Sequence, residues 1–276
     1  PLRLSTDVVE APESDQPFGS IALNFVCAPF STAGLYREFG AKNVLIQLNP
    51  FEITDIEHLR LYHDFEKVAC VSPQICGLFH KHYPDVATAY LPPMIDASLL
   101  NPQSVSPAAV SWLPHATKSY RFYAIFPSQS RQESEALVTT YLREFDGKDS
   151  TLLVYMLGGG GSLLDFLRKS GKHKTNVTVA GGPWLDPTIA AICSWGDCCL
   201  LPWSRFSLPV ESLYCLAAGS YAVVSEEASG GLLNPRYCKI LSSPLNEKQL
   251  MSVMRQAISA GPRKMEKAKE SSKVFS

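Results

Sequence analysis

WGDCCLLPWSRFSLPVESLYCLAAGSYAVVSEEASGG, residues 195–231, is the stretch that decides the fold. Its CCLL (198–201) is an unbroken apolar run of strand length, Pro202 opens a loop, residues 211–218 have helical character, Gly219 ends that helix, and YAVVS (221–225) is a second apolar run. Short runs that are apolar on both faces suit strands buried on both sides, the state of parallel strands joined by a crossover helix. The stretch therefore predicts a βαβ unit inside an α/β domain. Glu211 falls in the first turn of the predicted helix, where a carboxylate meets the positive end of the helix macrodipole.

The same stretch resembles the signature of family-4-like retaining glycosyltransferases of the GT-B fold, D-x-x-x-x-P followed by E-x7-E-A-M-A-x-G-x-P-V-V. Aligned without a gap, Asp197 takes the place of the family's Asp, Pro202 of its Pro, Gly219 of its helix-ending Gly, and Ala222-Val223-Val224 of its P-V-V strand. The two glutamates of E-x7-E fall on Phe206 and Tyr214. In the family the first lies near the sugar and the second holds the ribose of the nucleotide, so the resemblance implies a scaffold kept and acid groups lost. An enzyme that had kept its activity would need to recruit Glu211, one helical turn or roughly 5 Å of rise before Tyr214.

Two further blocks carry the resemblance. HDFEKVACVSPQICGLFHKHYPDVATAYLPPMID (63–96) follows the layout that closes the family's first domain, with Asp96 in the place of its terminal Asp. FYAIFPSQSRQESEALVTTYLREF (122–145) follows F-x-x-V-F-x-x-x-x-R-K-G and the aliphatic helix after it. Arg131 lands on the arginine and Gln132 on the lysine that grips the diphosphate. A neutral amide cannot supply that charge-assisted hydrogen bond, worth about 1.5–3 kcal/mol.

The fold expected is thus α/β, two Rossmann-like domains of GT-B type with the first incomplete. Residues 1–96 form the truncated first domain, 97–119 a Pro- and Ser-rich linker, 120–260 the nucleotide-sugar-binding-like second domain, and 261–276 a basic tail. Either the amino-terminal part is missing or the domain is pared down. In the first domain, strands are expected at 20–28, 43–48, 65–71 and 86–91, with helices at 32–39, at 54–63 behind a Thr54/Glu57 capping box, and at 73–83. In the second, strands are expected at 120–126, 152–157, 175–180 and 239–241 besides the two above. Helices are expected there at 133–145, 163–168, 187–194 and 246–260, with a turn at Gly181-Gly182-Pro183. The GGGG run at 158–161 lies between strand and helix, where a glycine turn belongs and where phosphate can be cradled.

Composition narrows the function. The 276 residues are 46% apolar and 18% charged, a folded composition, and 25 Lys plus Arg against 26 Asp plus Glu leave no field to draw in nucleic acid or an anionic membrane. No apolar run reaches the roughly 18–20 residues of a membrane span. The eight cysteines include no C-x-x-C pair, and Cys198-Cys199 within one strand must point to opposite faces. Buried reduced thiols follow, and a reducing compartment is favoured. Cys27, Cys70 and Cys76 sit in or beside apolar runs that disfavour a thiolate. His80 and His82 have no third ligand at metal spacing, no G-x-S-x-G elbow is present, and Asn176-Val177-Thr178 is a sequon by match alone.

The expected function is that of a degenerate glycosyltransferase-like protein without catalytic residues or metal, serving as a structural or accessory subunit with other proteins as partners. The old donor cleft would comprise Arg131, Gln132, Phe206, Glu211 and Tyr214, and the ligand the resemblance implies is a nucleotide-sugar. An active retaining enzyme using Arg131 and Glu211 is the alternative. A ligand sensor that stacks a ring on Phe206 and Tyr214 is a third reading.

Overall fold

A computed structural model describes residues 23–26, 42–47, 65–70, 73–91, 111–114, 120–127, 130–145, 150–170, 176–183, 185–202, 210–229, 233, 238–242 and 246–261. The expected helices at 32–39 and 54–63, Cys27, Asp96, Phe206 and the basic tail lie outside the described residues.

The first sheet has four parallel strands in the spatial order β1-β2-β3-β4: β1 (Leu23–Val26), β2 (Lys42–Gln47), β3 (Lys67–Cys70) and β4 (Thr88–Tyr90). Along β3 the side chains of Val68, Ala69 and Cys70 are all buried, so both faces of this strand are covered, as its unbroken apolar run requires. Helix α1 (Pro73–His82) starts on a proline, which tolerates the first helical position because its missing N–H has no intrahelical partner to lose. Its apolar side carries the fully buried Phe79, and His80, Lys81 and His82 occupy the last turn, next to the negative end of the macrodipole.

The second sheet has six parallel strands in the order β10-β9-β8-β5-β6-β7. Chain order is β5 (Tyr120–Phe126), α2 (Arg131–Glu144), β6 (Ser150–Leu157), α3 (Gly161–Lys169), β7 (Val177–Gly182), α4 (Asp186–Trp195), β8 (Cys198–Leu201), α5 (Val210–Ala217), β9 (Tyr221–Ser225), α6 (Glu226–Ser229), β10 (Cys238–Leu241) and α7 (Glu247–Ala260). The sheet is doubly wound, with its strand order reversing between β5 and β8.

Alternation along the central strands divides the core into two layers. Phe122, Ala124, Cys198, Leu200 and Val223 face the layer that contains Leu137, Tyr141, Leu163, Leu250 and Met254 of α2, α3 and α7. Tyr123, Ile125, Cys199, Leu201 and Val224 face the layer that contains Ile189, Ile192, Leu213 and Leu216 of α4 and α5. The neighbours Cys198 and Cys199 thus enter opposite layers, as the strand period dictates. Residues 111–114, within the expected linker, pack on the second layer: Leu113 is buried, Trp112 lies against Tyr155, and Trp195 Nε1 donates to the Pro114 carbonyl at 3.1 Å.

The structure departs from the sequence reading at several places. Gly181 and Gly182 are not a turn; they continue β7 and pair with Met156 and Leu157. A Cβ on Gly181 would stand 2.4 Å from the Gly160 nitrogen, so glycine here answers a close backbone approach, not a reversal. The turn expected in the GGGG run is present, with Gly158 (φ 86°) and Gly159 (φ 132°) in the left-handed region. The short α6 lacked any periodic signal. The sequon residue Asn176 is buried and donates Nδ2 to the Tyr141 hydroxyl at 3.3 Å, so it is a core residue.

Candidate functional site

In open α/β sheets the ligand crevice lies beyond the carboxyl ends of the strands where their order reverses. Here that point is flanked by the ends of β5 and β8, Phe126-Pro127 on one side and Leu201-Pro202 on the other. The helices that follow these two strands, α2 and α5, carry the candidate residues Arg131, Gln132, Glu211 and Tyr214. Chain topology therefore draws two separated sequence blocks toward one crevice.

On the α2 side, Ser130 is the N-cap but makes no side-chain cap bond. Arg131 is exposed, and its Nε donates to Glu135 Oε1 at 2.7 Å, one turn along the same helix. Gln132 is exposed beside it. The first turn of α2 therefore offers a guanidinium already engaged by a carboxylate and a neutral amide.

On the α5 side, Glu211 is partly buried in the first helical turn. Burial pushes its carboxyl above the ordinary carboxylate range, partly offset by a bond from its own backbone N–H. Tyr214 is 8% exposed and packs in the layer formed with α4. Its hydroxyl donates to Asp186 Oδ1 at 3.3 Å, and Asp186 is the first residue of α4. The position where the family pattern has an acid thus carries an inward ring, tied to the start of the neighbouring helix.

Asp197 stands at the opposite, amino-terminal end of the strands, directly before the interior strand β8, where it binds Arg121. Sequence reasoning missed both Asp186 and this pair. The available signals were an Asp-Pro step opening a helix and an Asp directly before a buried strand.

Among the described residues no group of three His, Cys, Asp or Glu side chains is arranged to hold a metal ion. His80 donates from Nδ1 to the Cys76 carbonyl at 2.9 Å. No described helix is long and apolar enough to cross a membrane.

No family model matches the sequence, and no curated protein matches it. Solved structures do. Sucrose-phosphate synthase from Thermosynechococcus elongatus superposes with a TM-score of 0.74 at 14% identity, over 92% of this chain and 69% of its own. The apo structure of OtsA gives 0.70 at 11% identity, over 92% and 69%. Anabaena HepE, solved in complex with UDP, gives 0.66 at 15% identity, over 91% and 73%. At these identities the likeness defines the architecture. The chain has the GT-B fold of retaining glycosyltransferases, with the first of its two Rossmann-like units incomplete.

Proposed function

We propose that this protein is a glycosyltransferase-like chain that no longer transfers sugar and acts as a structural or accessory subunit of a larger protein assembly. The observation that carries the proposal is the Tyr214–Asp186 bond on a buried ring. In the family pattern that position supplies a carboxylate to the ribose; here an aromatic side chain fills the space and spends its hydroxyl on a neighbouring helix. Gln132 adds a second deficit, because the leaving diphosphate of a retaining transfer needs positive charge and meets an amide. The crevice and surrounding surface then serve contact with other subunits.

The test is calorimetric titration with uridine, guanosine and adenosine diphosphate sugars, run beside a turnover assay. The expected result is no saturable binding and no transfer by the natural chain, with nucleotide binding gained on Gln132→Lys combined with Tyr214→Glu. Turnover of any donor by the natural chain overturns the proposal.

One observation favours the alternative of an active enzyme. Glu211 is a carboxyl raised by burial at a helix start beside the crevice, the kind of perturbed acid that active sites use. In that case Glu211→Gln and Arg131→Ala would each abolish transfer without unfolding the protein.

A further inference from the structure

Among the described residues Cys76 is the one half-buried cysteine; Cys70, Cys193, Cys198, Cys199, Cys215 and Cys238 are buried. Two pairs of these thiols touch. Cys199 and Cys215 are in hydrogen-bonding contact between β8 and α5, and both are fully buried in the layer that holds Ile189 and Leu213. Cys70 and Cys76 are in the same kind of contact between β3 and α1. The first pair is sealed from solvent, whereas the second has one sulfur within reach of it.

Helical spacing accounts for the second contact. Cys76, Phe79 and Tyr83 follow one another at steps of three and four and so share one side of α1, the side on which Phe79 and Tyr83 are buried with their rings 5.8 Å apart. Cys76 opens this row near the start of α1, and Cys70 is the last residue of β3, at the end from which the chain passes to α1. Cys70 is fixed: its thiol donates to the Val68 carbonyl at 3.9 Å, and its own carbonyl accepts from the Leu91 N–H at 2.8 Å. Burial, with Cys76 beside it, pushes the Cys70 thiol far up, so Cys70 stays protonated and does not meet an oxidant first. The accessible sulfur and the buried one therefore have different parts to play.

We propose that Cys76 is a site of oxidation by hydrogen peroxide and that Cys70 resolves the product as an intramolecular disulfide. In the first step the Cys76 sulfur attacks the peroxide O–O bond. A sulfenic acid forms, and the departing oxygen takes the thiol proton and leaves as water. In the second step the Cys70 sulfur attacks the Cys76 sulfur: the S–S bond forms, the S–O bond breaks, and hydroxide leaves with the Cys70 proton as water. The two thiols together lose two electrons and the peroxide gains them. The bridge ties the start of α1 to the end of β3, and a dithiol reductant reopens it. Such a transient bond suits a reducing compartment, where disulfides serve redox sensing. It is independent of whether the chain transfers sugar.

The experiment exposes the reduced, folded chain to hydrogen peroxide, blocks remaining thiols with N-ethylmaleimide in denaturant, and weighs the tryptic peptide 68–81, which holds both cysteines. The expected peptide carries no label and is two hydrogens lighter than its reduced form. After dithiothreitol it takes two labels, while Cys199 and Cys215 take label throughout. Cys76→Ser should leave Cys70 fully labelled after the same treatment, and Cys70→Ala should stop at a Cys76 sulfenic acid that dimedone traps. If Cys70→Ala does not fold, the natural chain and Cys76→Ser decide the matter. A peptide that still takes two labels after peroxide overturns the proposal, as does one in which Cys76 passes to sulfinic acid while Cys70 keeps its label. Equal oxidation of the sealed Cys199 and Cys215 also overturns it, because access would then not select the site.

Discussion

Arg121 and Asp197 lock the amino ends of β5 and β8 together through three bonds to one carboxylate. Arg121 Nη2 lies 2.8 Å from Oδ1, Nε 3.0 Å from Oδ2, and the Arg121 backbone N–H donor 2.9 Å from Oδ2. The Asp197 side chain is only 4% exposed, and the Arg121 guanidinium also lies over Trp195 at 5.8 Å. The aspartate that aligned with a glycosyltransferase signature is therefore a strap between the two strands flanking the reversal. Removing it leaves a guanidinium and a backbone N–H without their acceptor.

Asp197→Ala is expected to lower stability by about 3 kcal/mol, the cost of breaking one side of a largely buried pair. Urea unfolding followed by tryptophan fluorescence measures it. A loss below about 1 kcal/mol would place the pair among weak surface bridges instead.

Two glycine substitutions separate close approach from mere flexibility. At Gly181 a Cβ would meet Gly160 N at 2.4 Å and Gly159 Cα at 2.7 Å, all backbone, so Gly181→Ala should cost about 1–3 kcal/mol by overpacking. At Gly161, the first residue of α3, a Cβ meets nothing within 4 Å. Gly161→Ala should stabilise by about 0.4–1 kcal/mol, because alanine has less backbone freedom to lose. Paired thermal melts of the two variants decide the matter by the sign of each shift.

Glu211 gives stability a dependence on pH. Its carboxyl is raised from the ordinary 4.5 by burial. Between 4.5 and the raised folded value, the native state holds a proton that the unfolded chain has released, so its contribution falls as pH rises through that window. Glu211→Gln should therefore melt higher than the natural protein at pH 7 and show no advantage below pH 4.5. Equal melting temperatures at both pH values would mean that the carboxyl is not desolvated in solution.

The thiols should react in an order set by burial. Burial pushes the thiols of Cys193, Cys198 and Cys199 far up and that of Cys238 up to about 11, while Cys76 is only half-buried on α1. Brief iodoacetamide treatment of the native protein at pH 8 should modify Cys76 and leave those four intact until denaturant is added. Peptide mass mapping distinguishes them.

The central strands were legible because burial on both faces leaves a near-continuous apolar run, broken in β5 only by Arg121: YRFYAIF, CCLL and YAVVS became β5, β8 and β9 with the bounds read from sequence. Gly219 was legible as a helix end, and its φ of 80° explains why. Gly181 was not, because a glycine that yields room to another backbone looks in sequence like one that turns the chain. Tyr214 was read as a lost acid, but its partner Asp186 lies 28 residues away and only packing of α4 on α5 brings them together. The reversal between β5 and β8 is likewise a property of spatial order.

That reversal also has a consequence in time. Strand β5 takes β8 as one of its two neighbours, and Arg121 is 76 residues from Asp197. During synthesis at about 5–20 residues per second, β5 would wait roughly 4–15 s for the partner on that side to emerge from the ribosome. Throughout that wait YRFYAIF, an aromatic-rich segment, stays open along one edge. Of all the segments in the second sheet, it is the one a nascent-chain chaperone should hold.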